Sequence, residues 1–469
     1  MKTASELLDW GQRDLEGLVS YCLALQERVA ITSRNSSKPP SQDGYLKPKP
    51  KSLRGKTDRK SGGQPGHPGS TLKPVDKPDH IQVHPLSICP CGCGTDLSAQ
   101  PVLSYESRQV FDLPPQKLVV TEHRVEVKCC PLSEKLVHTP WPTDITAPVQ
   151  YGPHFLAWLV YMNTQHFIPL DRIGQMSFDQ FGHYVSDKTI LTAMQTTSRQ
   201  LVPFTQAVEA QLAQEPVLNA DESGLRVAGK LHWLHILSTP KLTWYGVHGK
   251  RGGEALDAFA ILSKFMGRLV HDCWQPYFDF LCLHALCLAH ILRELIFIHE
   301  ECGQAWAKKL TDLLLDMKQK REEQKLHATH FSPEPLHEWH QLYQAILHEG
   351  RMANPPIIPK PNAPKKRGRR KQTKAQNLLD RLEKHENWVL AFLHDFQIPF
   401  TNNQAEQDAR MIKVKQNVSG SFRTFEGAQL FTTIRSYIST ARKQGRSVFQ
   451  DIKSAIVGNP FIPGMAETE

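Results

Sequence analysis

Three acidic residues carry the chemistry this chain offers. Asp221 stands in the run V-L-N-A-D-E-S-G-L-R from Val217 to Arg226, where four mostly apolar residues approach it and Ser223-Gly224 mark the start of a turn. That is the pattern of a buried strand delivering a carboxylate to its exposed end. The same grammar recurs at Leu269-Val270-His271-Asp272. Glu406 then lies at the middle of N-N-Q-A-E-Q-D-A-R from Asn402, a polar stretch with helical propensity. Two strand-end aspartates and a helical glutamate can hold two hard cations, magnesium or manganese, through their oxygens. Paired cations of this kind clamp the attacking and leaving oxygens of a phosphodiester. Any one of these acids alone more often just begins a turn. The order Asp, Asp, Glu in a chain otherwise suited to DNA singles out the set.

Two neighbours compete for these roles. Glu222 follows Asp221, but successive strand residues point to opposite faces, so one of the pair looks into a site. Asp221 is the choice, because Leu225 and Val227 resume the alternation beyond it. Asp408 lies two helical positions after Glu406, about 200° around the axis. Glu406 shares a polar face with Asn402, Asn403 and Arg410, and Arg410 can contact a phosphate there. Asp408 shares its face with Ala405, Met411 and Ile412, a packed seam where an acid would pair locally.

The blocks D-E-S-G-L-R-V-A-G-K-L-H-W-L-H from Asp221, H-D-C-W-x-P-Y from His271, C-L-A-H-I-L-R-E-L from Cys287 and N-N-Q-A-E-Q-D-A-R-M from Asn402 resemble the transposases of insertion-sequence family 66. The resemblance runs along almost the whole chain. It implies an α/β fold with a ribonuclease-H-like catalytic core, and DNA cleavage and strand transfer by Asp221, Asp272 and Glu406. It further implies binding to the terminal inverted repeats of the element, a homo-oligomer bridging two ends, accessory proteins of the same element, and a cytoplasmic, nucleoid-associated place in a bacterium. The chain departs from the family pattern at Ser223, Cys273 and Gln407, where threonine, glycine and arginine are usual. A non-catalytic DNA-binding protein (a repressor or a decayed copy) and a structure-specific nuclease are the alternatives.

Composition agrees with a DNA partner through the placement of charge. Seven basic residues and one acid lie in Lys47–Lys60, and eight basic residues and no acid in Lys360–Lys374. Together these segments carry +14 against +9 for the whole chain, so the remainder is net negative. Flexible basic arms of this kind bind phosphate backbones, and Lys365, Lys366, Arg367, Arg369 and Arg370 are the candidate contacts. Solubilising linkers are the plainer reading. Ten cysteines, partly clustered and partly alone, suit a reducing compartment better than a disulfide scaffold. No amino-terminal signal pattern is expected.

The domain order follows from the patterning. Residues 1–31 place apolar residues at heptad spacing (Leu8, Leu15, Cys22, Val29), a short coiled-coil or zipper-like helix. Residues 32–75 are a basic linker too polar to bury a core. In 76–145, Cys89-Pro-Cys91-Gly-Cys93 and, about forty residues on, Cys129-Cys130 suggest a small zinc ribbon held by Cys89, Cys93, Cys129 and Cys130. Its hairpin is expected over Lys117–Lys128. A metal-free remnant is equally compatible, since adjacent thiols chelate one ion poorly.

Residues 146–214 read as helical. A helix from about Pro169 ends near Gly182, and a second starts behind Ser186, a helix-turn-helix whose second helix offers Ser186, Lys188 and Thr189 to DNA; an ordinary helical hairpin has the same spacing. Residues 215–300 open the catalytic core, with strands over Leu231–Ser238 and Leu242–His248 and a helix over Glu254–Phe265. Cys287 and His290 share a helix face, though a lone Cys–His pair is usually packing. Residues 301–395 are a helical insertion ending in a helix over Ala375–Asp395. Residues 396–469 return to the core with Glu406 and the terminal helices.

Overall fold

The computed structural model describes residues 72–355 and 372–465, with positions 12, 14, 15, 18, 19, 21 and 22. The heptad segment, most of the basic linker and the arm residues Lys365, Lys366, Arg367, Arg369 and Arg370 lie outside the described residues. The chain forms two compact units, the smaller comprising 52–122 and 180–183.

In the larger unit a two-stranded ribbon, β1 (Val127–Cys129) and β2 (Leu136–His138), precedes four helices: α1 (Pro153–Thr164), α2 (Leu170–Phe181), α3 (Asp187–Gln200) and α4 (Val202–Leu212). The ribbon corrects the expected hairpin. Only the last two residues of 117–128 enter a strand, because the pairing is set by a turn after Cys130, whose N–H donates to Lys135 O at 2.9 Å. A five-stranded sheet follows, built from β3 (Val217–Val227), β4 (Lys230–Ser238), β5 (Thr243–His248), β6 (Arg268–His271) and β7 (Leu283–Leu286) in the spatial order 5-4-3-6-7. β3, β4 and β5 are antiparallel neighbours, whereas β6 and β7 run parallel to β3.

β3 does not turn at Ser223-Gly224 as expected. It runs on to Val227 and turns at Ala228-Gly229, both with positive φ, the two-residue hairpin that matches strand twist. Gly224 stays in the ladder opposite Trp233, where Leu231 covers it so closely that a Cβ would meet its Cδ1 at 3.3 Å. The helix expected over 254–265 is also shorter. α5 (Gly253–Phe259) ends at Ala260, which is left-handed at φ 54°, and a single 3-10 turn follows.

Beyond β7 come α6 (Leu288–Cys302), α7 (Ala305–Gln324) and α8 (Pro333–Ala353). The expected helix 375–395 is three pieces, α9 (Lys374–Lys384), α10 (Glu386–Val389) and α11 (Ala391–His394). They share one apolar core with α6, β6 and β7, around Trp306, Tyr343, Leu378 and Phe392. The chain then returns as α12 (Asn403–Ser419), α13 (Phe425–Lys443) and α14 (Val448–Ile456).

The period-2 alternation of β3 divides the interior. Leu225 and Val227 face Ala409, Met411 and Ile412 of α12. Leu218 and Ala220 face the opposite core with Phe204 of α4 and Tyr277. Asn219 and Asp221 have the parity of Leu225, so they lie on the α12 side. Among the described residues, no helix is long and apolar enough to cross a membrane.

Candidate active site and cysteine cluster

The parallel pairing of β3 and β6 sets the two aspartates. Its last row joins Asn219 to Val270; Asp221 lies two residues further along β3, and Asp272 directly follows the last residue of β6. Asp221 Oδ1 accepts from the Glu222 N–H at 2.9 Å, and Asp272 Oδ1 accepts from the Trp274 N–H at 2.9 Å. The second contact turns the chain away immediately after its carboxylate.

Glu406 is delivered by a polar clamp. Asn402, the residue before α12, is buried; its Nδ2 donates to Ala220 O at 2.6 Å, and its Oδ1 accepts from Asn219 Nδ2 at 2.8 Å. The clamp therefore grips β3 beside Asp221, and Glu406 sits one turn further along α12.

Asp221 registers the result. Its carboxyl is held well above the usual carboxylate range, first by loss of water, then by the charges of Glu222, Asp272 and Glu406. Four acids thus act on one another, although the oxygens of Asp221, Asp272 and Glu406 do not all lie within 4.8 Å. Spacing wider than direct contact, with mutual repulsion, is what a cation between carboxylates relieves.

Glu222 points the other way and is fully engaged. Its side chain is only 3% exposed, ion-paired to Arg251 and accepting from the Tyr277 hydroxyl at 2.8 Å. Arg251 lies over the Trp233 and Trp274 rings, 4.8 and 4.5 Å from their centroids. Burial still raises the Glu222 carboxyl, with Asp272 adding to it. Asp408 accepts from Lys443 Nζ at 2.8 Å and from Ser238 Oγ at 2.6 Å. Arg410 is exposed, one turn beyond Glu406.

The crowding has a sign that can be tested. A raised carboxyl costs nothing below the ordinary carboxylate range near 4. Stability is lost as pH rises from there through the raised folded value. Metal-free Asp221→Asn is therefore expected to melt above the wild type at neutral pH, with the gap closing toward pH 4. Magnesium should close it at neutral pH by raising the wild type alone. His235 and His271, pushed down by burial to about 4 and about 3, act in the opposite sense, but both proteins carry them and they cancel. Equal melting temperatures across this range would show that the cluster stores no repulsion.

α2 and α3 form the expected pair of helices, with Gly182 at φ 68° between them. Leu159, Ile173, Val185 and Ile190 make their core, and Gly174 admits the crossing chain because a Cβ there would meet Val185 O at 2.7 Å. Ser186 Oγ accepts from the Thr189 N–H at 3.3 Å and bonds its hydroxyl at 3.1 Å, so both side chains serve the cap. Lys188 remains exposed.

In the smaller unit, Cys89, Cys91 and Cys93 place their sulfurs within 4.8 Å of one another. The bonds Cys89 N–H to Thr95 O and Leu97 N–H to Ser87 O close the loop that carries them. Hydrogen bonds from Thr95 draw the Cys93 thiol down to about 6, toward the thiolate that binds metals. Cys91 joins the expected Cys89 and Cys93, because the C-x-C-x-C spacing brings all three sulfurs to one loop. Cys129 and Cys130 lie in the larger unit, at the end of β1 and the start of its turn.

Comparison with known protein families matches two successive stretches of the chain. Residues 148–430 match a family of transposases, and residues 87–131 match the zinc-finger binding domain found in that family. The first match spans more than half of the chain, which belongs to the IS66 transposase family. Residues 10–73 match a family of unknown function. No curated protein matches the chain.

Proposed function

We propose that the chain is a DDE transposase that cleaves DNA and transfers strands at the terminal inverted repeats of its insertion sequence. Asp221, Asp272 and Glu406 are the acidic triad. The observation that carries this reading is that Asp272 and Glu406, from β6's end and α12, both act on the buried Asp221, after burial and the larger charge of its neighbour Glu222, in a chain of the IS66 transposase family. The sheet supports a ribonuclease-H-like core: three antiparallel strands flanked by two strands parallel to the first.

The triad would hold two magnesium or manganese ions, which when bound stabilise the charge on the attacking and leaving oxygens of a phosphodiester. The protein groups divide the remaining work. Asn402 fixes the helix that presents Glu406, and the Trp274 amide holds Asp272. Arg251 pairs with Glu222 and Tyr277 donates to it, which holds its carboxylate on the other face of β3 from Asp221. Arg410 is placed to meet a phosphate, and Lys188 and the basic arm at Lys365, Lys366, Arg367, Arg369 and Arg370 add affinity for any DNA backbone. Zinc on Cys89, Cys91 and Cys93 would order the smaller unit.

The test is product analysis with full-length protein, magnesium and labelled duplex carrying an end of the element. Joined molecules, absent with Asp221→Asn, are expected. Nicked products without joining would make the chain a nuclease, and binding without cleavage would make it a DNA-binding protein; either result overturns the proposal.

A further inference from the structure

Glu406 has a second set of neighbours. Cys287 caps α6 and His290 lies one turn into it, so the two side chains share a face of the first turn. The clamp at Asn402 draws α12 against this turn, because the Asn402 N–H donates to Cys287 Sγ at 3.1 Å. Cys287 Sγ and His290 Nδ1 each lie 3.9 Å from the same oxygen, Glu406 Oε1, and one ligand atom from each residue falls within a mutual 4.8 Å.

The Cys287 thiol donates only a long, weak hydrogen bond to that oxygen. At 3.9 Å a nitrogen–oxygen contact is well beyond hydrogen-bond range, and His290 Nδ1 is buried with no partner. An unpaired buried nitrogen aimed at a carboxylate and a thiol calls for something between them. In a tetrahedral zinc site with the usual bond lengths, neighbouring ligand atoms stand roughly 3.3–3.6 Å apart. The two contacts to Glu406 need to contract by only about half an ångström to reach that spacing.

We propose that Cys287, His290 and Glu406 form a site for a borderline transition-metal ion such as Zn2+ or Co2+. One sulfur, one imidazole nitrogen and one carboxylate oxygen suit that class and disfavour Mg2+, which takes oxygen ligands. The side chains of His290 and Glu406 are 17% and 23% exposed, which leaves an entry path and room for a solvent ligand. Burial pushes the Cys287 thiol up to about 12, so its proton leaves to solvent only as the ion binds the sulfur. The site follows from these three residues alone and does not depend on the chemistry assigned to Asp221 and Asp272.

The test is titration of the full-length protein with Co2+, followed by the near-ultraviolet band of cobalt–thiolate bonding and by bound cobalt per chain. The cysteines at 89–93 contribute equally to wild type and Cys287→Ser, so their difference reports Cys287. Cys287→Ser is expected to remove one cobalt equivalent and its share of the band, and His290→Gln to weaken that equivalent at least about tenfold. Asp221→Asn with Asp272→Asn should keep the band even though cleavage is lost, which separates this site from the proposed triad. Unchanged melting of Cys287→Ser would show that its fold survives. A band and stoichiometry identical in wild type, Cys287→Ser and His290→Gln would overturn the proposal.

Discussion

Glu406→Gln is expected to abolish DNA cleavage while DNA binding survives. The substitution keeps the shape of the side chain and removes its charge, the property needed to hold a divalent cation. The fold has no need of that charge: it sits among acids, where Asp221 already feels it as repulsion. Its loss should leave the melting temperature unchanged or slightly higher. Cleavage of labelled end DNA and retention of the same DNA in a gel-shift experiment measure the two halves. Wild-type cleavage by Glu406→Gln would remove the residue from the triad.

Asp408→Asn gives the opposite phenotype from two positions away. Asp408 and Lys443 form a pair whose side chains are 15% and 12% exposed. Removing the acid leaves an ammonium in a setting where burial already disfavours its charge. Lys443 Nζ keeps Ser238 Oγ, Thr239 O and Leu242 O as partners, so the cost falls below that of an orphaned buried charge, at about 2 kcal/mol. At roughly 2–4 °C per kcal/mol for a domain of this size, thermal melting should shift down by several degrees. Cleavage by the folded fraction should persist at low temperature. Unchanged melting with lost cleavage would exchange the roles of the two acids.

Much of this arrangement was legible in local pattern. Alternation along Val217–Val227 gave the parity that separates Asp221 from Glu222, and rotation along 402–410 gave the separation of Glu406 from Asp408. Ser186 was legible as a cap because serine before a helical run satisfies a free N–H. What failed was local chemistry overridden by distant packing. Ser223-Gly224 looks like a turn, but β4 pairs straight past it and Leu231 covers the glycine. Residues 117–126 have strand-forming side chains and no neighbouring strand to pair with. The third neighbour of the Cys287–His290 pair, Glu406, could not be read locally because it is 119 residues away in sequence. The engagement of Arg251 and Tyr277 with Glu222 was equally out of reach, since strand parity says where a carboxylate points and not what waits there.

The clamp between Asn219 and Asn402 closes a loop of 183 residues. Loop-closure entropy rises only with the logarithm of length, so halving that loop would save only about 0.6 kcal/mol. The insertion can therefore lengthen or shorten with little effect on the equilibrium that seats Glu406. The order of events is a different matter. β3, β4 and β5 are joined by short hairpins and can pair early, but the third carboxylate arrives only when the far end of the chain docks. On the proposed reading, a nascent chain has made both aspartates before the residue that would complete the triad, and cutting competence would be the last property that folding confers.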